Sequence, residues 1–231
     1  MKKLRDISEH YTPDLARYEE EQWLATEQWR QNSAFVLPLI QKLQVKTVVE
    51  FGCGTGLVAR DLPEGLDYTG VDTNSWFLEK ARARNRDRKY FFFQFWDIRT
   101  WHDDVKDLAM CWSVLKHFCL DEWPDILRRI LMAGRHCAFN VQTVKGNTPF
   151  DNGTQFHHVF VPASMARTGI DHFGHDILHE EVTSEWQVDG CFCADITFLT
   201  RKRPGPGPRT GDEGTEKTEP VSGLKELTIT H

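Results

Sequence analysis

The chain has 231 residues, of which 40% are hydrophobic and 27% are charged, a composition typical of a globular protein with a sizeable core. Its formal net charge of −6 provides no broad positive surface for a phosphate backbone, so a dedicated nucleic-acid-binding protein is disfavoured. The sequence shows no signal peptide, no apolar run near the roughly 20 residues of a membrane span, and no C-x-x-C pair, so we expect a soluble cytoplasmic protein without disulfides.

Two helices are predicted before the first strand. Thr12 supplies a capping hydroxyl just before a proline, which is typical of a helix start, and this helix is expected to run to about Arg30. A second helix is expected to begin at Asn32 or Ser33. Residues 1–44 are therefore predicted to form an N-terminal helical cap.

Strand and helix patterns alternate through the middle of the chain. In order they are the strand KTVVEF, a glycine turn, the strand LDYTGVD, the helix SWFLEKARAR, the strands KYFFFQFW and DLAMCWSV, the helix DEWPDILRRILMA and the strand RHCAFNVQ. This alternation predicts an α/β fold with a doubly wound, mostly parallel sheet of seven strands and helices on both faces.

The C-terminal part of the chain has a different pattern. A short helix is expected near Ala163–Thr168, and two strand-like runs follow on either side of Asp189-Gly190, a strong hairpin signal. Such a hairpin would place an antiparallel strand at or near the sheet edge. Residues 45–203 are therefore predicted to form the main domain. Residues 204–231 are dense in Gly, Pro, Thr and charge and are predicted to be a disordered tail.

The segment VVEFGCGTG places three glycines at alternate positions directly after a strand. Glycine permits tight turns and a close approach of backbone to a ligand, so a bound molecule is expected here. The G-x-G-x-G spacing, with Leu57 where a third fingerprint glycine should fall, argues against a dinucleotide. Asp72 ends the second strand, where a carboxylate can accept two hydrogen bonds from a ribose diol. An adenosine-type ligand is therefore predicted.

These motifs together resemble those of the class I S-adenosylmethionine-dependent methyltransferases. VVEFGCGTG resembles the family's first motif, and YTGVD, FQFWDI and DLAMCWSVLKHF resemble, in order, the segments that end its second, third and fourth strands. The resemblance covers about Thr47 to Thr200. It implies a Rossmann-like fold, S-adenosylmethionine as the cofactor, and direct in-line methyl transfer to a small-molecule acceptor.

The resemblance also implies roles for individual residues. The loop Gly52–Gly56 would bring backbone groups against the methionine part of the cofactor, with Glu50 near its ammonium. Asp72 would bind both ribose hydroxyls, and Asp97 would accept a hydrogen bond from the adenine amino group, with the Ile98 amide near a ring nitrogen. A buried ion pair, a strand-end cap and a turn are the structural alternatives for the three acidic residues. The implied cofactor-binding set is Glu50, Gly52, Cys53, Gly54, Gly56, Asp72, Asp97 and Ile98.

His117 is the candidate catalytic base, because it follows the fourth strand at a position that faces the methyl-transfer site in many relatives. A base is needed only where the acceptor must lose a proton. The alternative is that the segment VLKHF simply packs, with His117 on a helix surface. Five histidines and two cysteines lie between residues 157 and 193, but they show no standard zinc spacing, so no metal site is predicted.

Two further pairs of residues are candidates for acceptor binding. His157 and His158 lie in the segment 146–174, which is expected to cross the mouth of the site after the fifth strand. Tyr11 and Tyr18 are seven residues apart and share a face of the predicted cap. Core packing is an equally good interpretation for the two tyrosines.

Other functions stay open at this point. The segment CWSV lacks the (N/D/S)-P-P-(Y/F) motif, which disfavours methylation of exocyclic amines in DNA. O-, N-, S- and C-methylation of small molecules and protein methylation all remain possible. The alternative function is an S-adenosylmethionine-binding protein that transfers no methyl group, either a lyase or a regulatory binder. A nicotinamide oxidoreductase is a third class, against which the glycine spacing argues.

Overall fold

The structure is a computed structural model. It describes the following residues: 13–26, 28–102, 104–145, 150–151, 158–188 and 191–205. Thr12, the Asp189-Gly190 turn and most of the predicted tail lie outside these ranges.

The strands of the described residues form one large mixed sheet. They are β1 (Thr47–Phe51), β2 (Asp67–Asp72), β3 (Phe91–Phe95), β4 (Lys106–Cys111), β5 (Gly134–Val144), β6 (Phe150–Asp151), β7 (Val159–Pro162), β8 (His175–Val188) and β9 (Cys191–Lys202). The order β3-β2-β1-β4-β5 is parallel throughout. Strand β9 then pairs antiparallel with β5 and with β8. This arrangement confirms the predicted mostly parallel sheet with an antiparallel C-terminal strand.

Two short strands were not predicted. Strand β7 pairs parallel with β5 at Thr143 and Val144, and β6 pairs antiparallel with β7. The same two residues of β5 also pair with β9. Because a strand has only two edges, β7 lies on the β4 side of β5, beyond the end of β4. The fifth strand thus runs to Val144, past the predicted end at Gln142.

Helices cover both faces of the sheet. They are α1 (Pro13–Thr26), α2 (Gln28–Lys42), α3 (Leu57–Asp61), α4 (Ser75–Arg84), α5 (Trp123–Ala133) and α6 (Ala163–His172). Two single turns of 3-10 helix follow β3 and β4, at residues 98–100 and 115–117. The predicted start of the second helix at Asn32 or Ser33 was wrong, since α2 begins at Gln28 and Ser33 is buried inside it. The helix-forming residues before Asn32 outweigh its capping potential.

The core has a large cluster on each face of the sheet. Along β1, Val49 and Phe51 pack into the cluster that includes α5. Val48, which directly precedes Val49, packs into the cluster that includes α2, α3 and α4. This alternation follows from the two-residue period of a strand. The parallel register places the ends of β1, β2, β3 and β4 at one edge of the sheet, where the chain turns that follow them meet.

Candidate active site

The glycine loop, residues 52–56, follows β1 with a backbone that favours glycine. Gly52, Gly54 and Gly56 have φ angles of 68°, 52° and 69°, the left-handed region that other residues rarely adopt. The backbone N–H groups of Gly52 and Cys53 both donate to the carbonyl of Val71, at 2.8 and 3.1 Å. These bonds hold the loop against the end of β2.

Each glycine also makes room for a different neighbour. A Cβ atom at Gly52 would overlap the side chain of Val114, and one at Gly54 would lie 3.1 Å from the ring of Trp23. A Cβ atom at Gly56 would lie 3.1 Å from that of Ala81 on α4. Gly52 and Gly54, with Cys53 between them, line the cavity described below, whereas Gly56 faces α4 and does not line it.

Asp72 lies at the end of β2 and faces the glycine loop. Its Oδ2 accepts a hydrogen bond from the Gly54 N–H at 3.0 Å, and its Oδ1 accepts one from the Asn74 N–H at 2.9 Å. The backbone N–H of Thr73 also donates to this carboxylate, so about one of its roughly four acceptor positions is left for a ligand hydroxyl. Burial raises the pKa of Asp72 to about 6, and hydrogen bonds from the backbone N–H groups of Asn74, Gly54 and Thr73 oppose this rise. Asp72 is therefore mostly ionised at neutral pH.

Glu50 lies beneath the loop rather than in the cavity. Its side chain is 3% exposed and accepts a hydrogen bond from the hydroxyl of Tyr68, which is itself fully buried. Burial raises the pKa of Glu50 to about 8, partly offset by the Tyr68 bond. Glu50 is thus mostly protonated at pH 7, and it does not line the cavity.

Asp97 and Ile98 follow β3 and line the same cavity, next to Trp96. The Oδ1 of Asp97 accepts from the Arg99 N–H at 2.8 Å, and its Oδ2 pairs with the Arg99 guanidinium at 3.0 Å. Arg99 also pairs with Glu122 at 2.9 Å. The Asp97 carboxylate therefore caps its own turn, which is one of the structural alternatives stated for it, while remaining in the cavity wall.

The β4 turn, residues 112–117, forms another wall of the cavity. Ser113 has a φ of 58°, an unusual value for a non-glycine residue. Its backbone N–H donates to Oδ1 of Asn140 at 2.6 Å, and the Asn140 amide reaches Asp195 at 3.5 Å. Both partners are at most 5% exposed, and Ser184 donates to Asp195 at 3.1 Å. This network from β5, β8 and β9, buried at Asn140 and Asp195, fixes the β4 turn.

The β4 turn presents His117 to the cavity. The ring centroid of His117 lies 5.2 Å from that of His158, and both residues line the cavity. Burial lowers the pKa of His117 well below its usual range, and the neighbouring charges of Lys116 and His158 act in the same direction. His117 is therefore neutral at pH 7 and can accept a proton. His157, which was predicted together with His158 to bind the acceptor, lies outside the described residues.

The first two helices supply the remaining wall. Glu19 and Trp23 of α1, together with Trp29 and Asn32 of α2, line the cavity. Tyr18 does not, since it is 55% exposed on the outer side of α1. Tyr11 lies outside the described residues. Residues of α1 and α2 other than the two tyrosines thus line this part of the cavity.

These parts enclose one cavity of about 270 Å³ at the carboxyl edge of the parallel strands. Sites of α/β sheets lie at this edge, because the chain turns there and exposes backbone and side-chain groups. Sequence reasoning missed Trp23, Asn140, Arg99 and Lys116, which it could find only by knowing which elements pack together. In the described part of the chain, no three His, Cys, Asp or Glu side chains are grouped as metal ligands, and no helix could span a membrane.

Comparisons with known proteins point to one family. The family model described as "Methyltransferase domain" matches residues 49–136. A curated relative, the ubiquinone biosynthesis O-methyltransferase of Hydrogenovibrio crunogenus (strain DSM 25203 / XCL-2), is 25% identical over 129 residues, 48% of this chain and 54% of the relative. The chain thus matches only about half the length of this relative.

Solved structures share the fold at low sequence identity. Magnesium protoporphyrin IX methyltransferase (ChlM) from Synechocystis PCC 6803, with bound SAH, has a TM-score of 0.59 and 15% identity, covering 76% of this chain and 83% of its own. The [4+2]-cyclase SpnF has a TM-score of 0.56 and 16% identity, covering 70% and 76% of the two chains. Residues 49–136 thus match a methyltransferase domain, and the chain shares the fold of these solved structures.

Proposed function

We propose that this protein uses S-adenosylmethionine to methylate a small-molecule acceptor. The observation that carries the proposal is the meeting of the glycine loop, Asp72 and the β4 turn around one cavity. A nucleoside can be held by the first two, while the third presents a neutral histidine to what remains of the space. The methyltransferase domain match and the named O-methyltransferase relative support the same reaction class.

The cofactor end of the cavity is suited to an adenosyl group. The left-handed loop leaves Gly52 and Gly54 without side chains that would fill the space, and the Asp72 carboxylate keeps an acceptor position free. Asp97, Ile98 and the ring of Trp96 provide a mixed polar and apolar wall. When bound, the cofactor supplies a methyl group already activated on a sulfonium. Cys53 would contribute through its backbone, since its buried thiol has a raised pKa.

The acceptor end is formed by the β4 turn and by His158, which directly precedes β7. His117, neutral at pH 7, would accept a proton at a ring nitrogen from an acceptor hydroxyl or amine, with His158 beside it. The aromatic wall, which includes Trp112 and Phe118, would exclude water from the transferring group. The protein's task is thus to hold the acceptor in line and to keep the site dry.

The direct test is transfer of a labelled methyl group from S-adenosylmethionine to a library of small-molecule hydroxyl, amine, thiol and carboxylate acceptors. Asp72→Asn serves as the matched inactive protein, since its fold should persist while cofactor binding weakens. We expect label in at least one organic product with the wild-type chain and much less with the variant. Binding of the cofactor without any labelled product would instead support the alternative below.

The alternative is a protein that binds S-adenosylmethionine and transfers no methyl group, as a lyase or a regulatory binder. One observation favours it: the pKa of His117 is well below its usual range, so this histidine is a weak base. The fold is also compatible with other reactions, since the named cyclase SpnF shares it. Product analysis separates the two functions.

The same proposal divides the chain into a cap (residues 1–44), a methyltransferase domain (45–203) and a tail (204–231). It also includes a cytoplasmic location. The contribution of α1 and α2 to the cavity wall supports the role of the first segment as a cap. Pro204 and Gly205 are exposed and follow the last strand, which fits a boundary near residue 203.

A further inference from the structure

Helix α1 covers the cofactor end of the cavity but buries little apolar surface of its own. Ala16 is its fully buried apolar side chain, while Trp23 and Leu15 are only partly buried. Tyr18 and Leu24 are exposed. Because hydrophobic stabilisation scales with the apolar area removed from water, packing alone holds α1 weakly. The attachment of α1 must depend on other contacts.

One arginine supplies such contacts to two elements at once. Arg84, the last residue of α4, pairs through Nη2 with Oε1 of Glu20 on α1 at 2.6 Å. Its Nη1 donates to the backbone carbonyl of Thr55 in the glycine loop. The side chains of Arg84 and Glu20 are only 21% and 12% exposed, so the ion pair is shielded from solvent. The rigid fork of a guanidinium suits such a double contact, which a lysine makes less well.

The same region places α1 directly over the loop. The ring of Trp23 lies against Gly54 and has its centroid 5.3 Å from that of Phe77 on α4. Trp23, Gly54 and Thr55 all line the cavity. A movement of α1 away from Arg84 would therefore uncover the loop side of the cavity.

We propose that Arg84 is a positioning residue that clamps α1 onto the glycine loop and thereby closes the cofactor end of the site. It would do so through Glu20 on one side and the Thr55 carbonyl on the other. The clamp itself is a property of the ligand-free protein. The part of the inference that names an adenosyl ligand rests on the proposed function.

The same helix offers a matched control. Arg82 donates from Nε and Nη2 to the carbonyl of Phe93 on β3, at 3.2 and 2.7 Å. It thus also ties α4 to a backbone carbonyl, but on the sheet and not on α1 or the loop. Arg82→Met removes an arginine of the same helix, with similar bonds, and leaves the clamp in place.

The first measurement is amide hydrogen exchange of the ligand-free full chain. We expect Arg84→Met and Glu20→Gln to speed exchange in residues 13–26 about tenfold, which corresponds to about 1.4 kcal/mol. Exchange in β1 and β4 should stay unchanged, and Arg82→Met should leave α1 at its wild-type rate. If Arg84→Met fails to fold, Glu20→Gln still decides, because it keeps the bond to Thr55 and changes only the ion pair.

The second measurement is the dissociation rate of S-adenosylhomocysteine, followed by tryptophan fluorescence. We expect about tenfold faster release from Arg84→Met, an intermediate rate for Arg84→Lys because lysine keeps the charge, and no change for Arg82→Met. Equal α1 exchange in wild type, Arg84→Met and Glu20→Gln would overturn the clamp. Failure of the wild-type chain to bind the ligand would instead count against the proposed function, while the exchange result still decides the clamp.

Discussion

The two sides of the cavity are built in different ways. The side that we propose to hold the cofactor, called the cofactor side, consists of the glycine loop and Asp72, which are joined by a hydrogen bond from the Gly54 N–H to the carboxylate. The side that we propose to hold the acceptor, called the acceptor side, consists of the β4 turn and His158, and it is fixed by a side chain, Asn140, from another strand. The first side is thus fixed by local chain geometry, and the second depends on buried contacts between distant segments. A fold that keeps the cofactor side and varies the acceptor side could serve many acceptors.

The largest expected effect comes from the point where the two sides meet. Gly52→Ala forces a strained φ and an overlap with Val114 of the β4 turn, so we expect the free energy of unfolding to fall by about 2–4 kcal/mol. Gly65→Ala is the control, since Gly65 has a φ of 85° and nothing within 4 Å of an added Cβ atom. Urea denaturation should show a loss of about 1–2 kcal/mol there. Equal losses of unfolding free energy at both positions would mean that the overlap with Val114 adds no cost, and that the two sides are not in tight contact.

A smaller effect is expected from the support of the acceptor side alone. Asn140→Ala leaves the buried N–H of Ser113 without its acceptor, and we expect about 1–3 kcal/mol less stability by urea denaturation. The affinity for S-adenosylhomocysteine should stay within about twofold, because the glycine loop is untouched. A large loss of affinity with full stability would show that the two sides are not separable.

The pH dependence of stability tests the buried carboxyl beneath the cofactor side. The pKa of Glu50 is about 8 in the folded chain against 4.5 for an ordinary glutamate, so the folded state holds a proton that the unfolded state has lost between these values. This contribution to stability is full below pH 4.5 and is lost as the pH rises through about 8. The slope is of order 1 kcal/mol per pH unit.

Replacing this carboxyl with an amide should remove the slope. Glu50→Gln keeps a partner for the Tyr68 hydroxyl but cannot ionise. From pH 5 to 8, wild type should therefore lose stability relative to Glu50→Gln in urea titrations. Parallel curves for the two proteins would show that Glu50 is ionised in the fold.

The smallest effect on cofactor binding is expected at His158. His158→Ala removes the ring beside His117, so methyl transfer to the identified acceptor should fall while the affinity for S-adenosylhomocysteine changes by less than about twofold, near 0.4 kcal/mol. His172→Ala, on the exposed end of α6, is the control and should change neither quantity. If His158→Ala keeps full turnover, the acceptor pocket lies elsewhere.

The cofactor side could be predicted from sequence because its signals are local. A strand followed by alternate glycines, and an acidic residue at the end of the next strand, identify Gly52, Gly54 and Asp72 directly. The parallel sheet then brings them together, since the carboxyl ends of its strands share one edge. The roles of these residues in binding remain predictions, but their common position in the cavity wall follows from the fold.

The acceptor side and the cap could not be predicted in the same way. Asn140 reaches Ser113 across 27 residues, and Arg84 reaches Glu20 across 64, so no local pattern indicates either contact. The seven-residue spacing of Tyr11 and Tyr18 shows that they share a helix face, but it does not say which face packs inward. On the charged helix α1, the face that carries Glu20 and Trp23 is the inward one.

The most direct test of the account is a calorimetric titration of S-adenosylhomocysteine into the wild-type chain and into Asp72→Asn at pH 7.5. The wild-type carboxylate offers two accepting oxygens to its backbone donors and to a ribose hydroxyl, whereas the amide has only one accepting oxygen. We predict binding to wild type at one site per chain and at least tenfold weaker binding to the variant, about 1.4 kcal/mol. The control is Asp67→Asn, an exposed position on the same strand, which should keep the wild-type melting temperature. Equal affinity of wild type and Asp72→Asn, or no binding to either, would contradict the placement of the cofactor in this cavity.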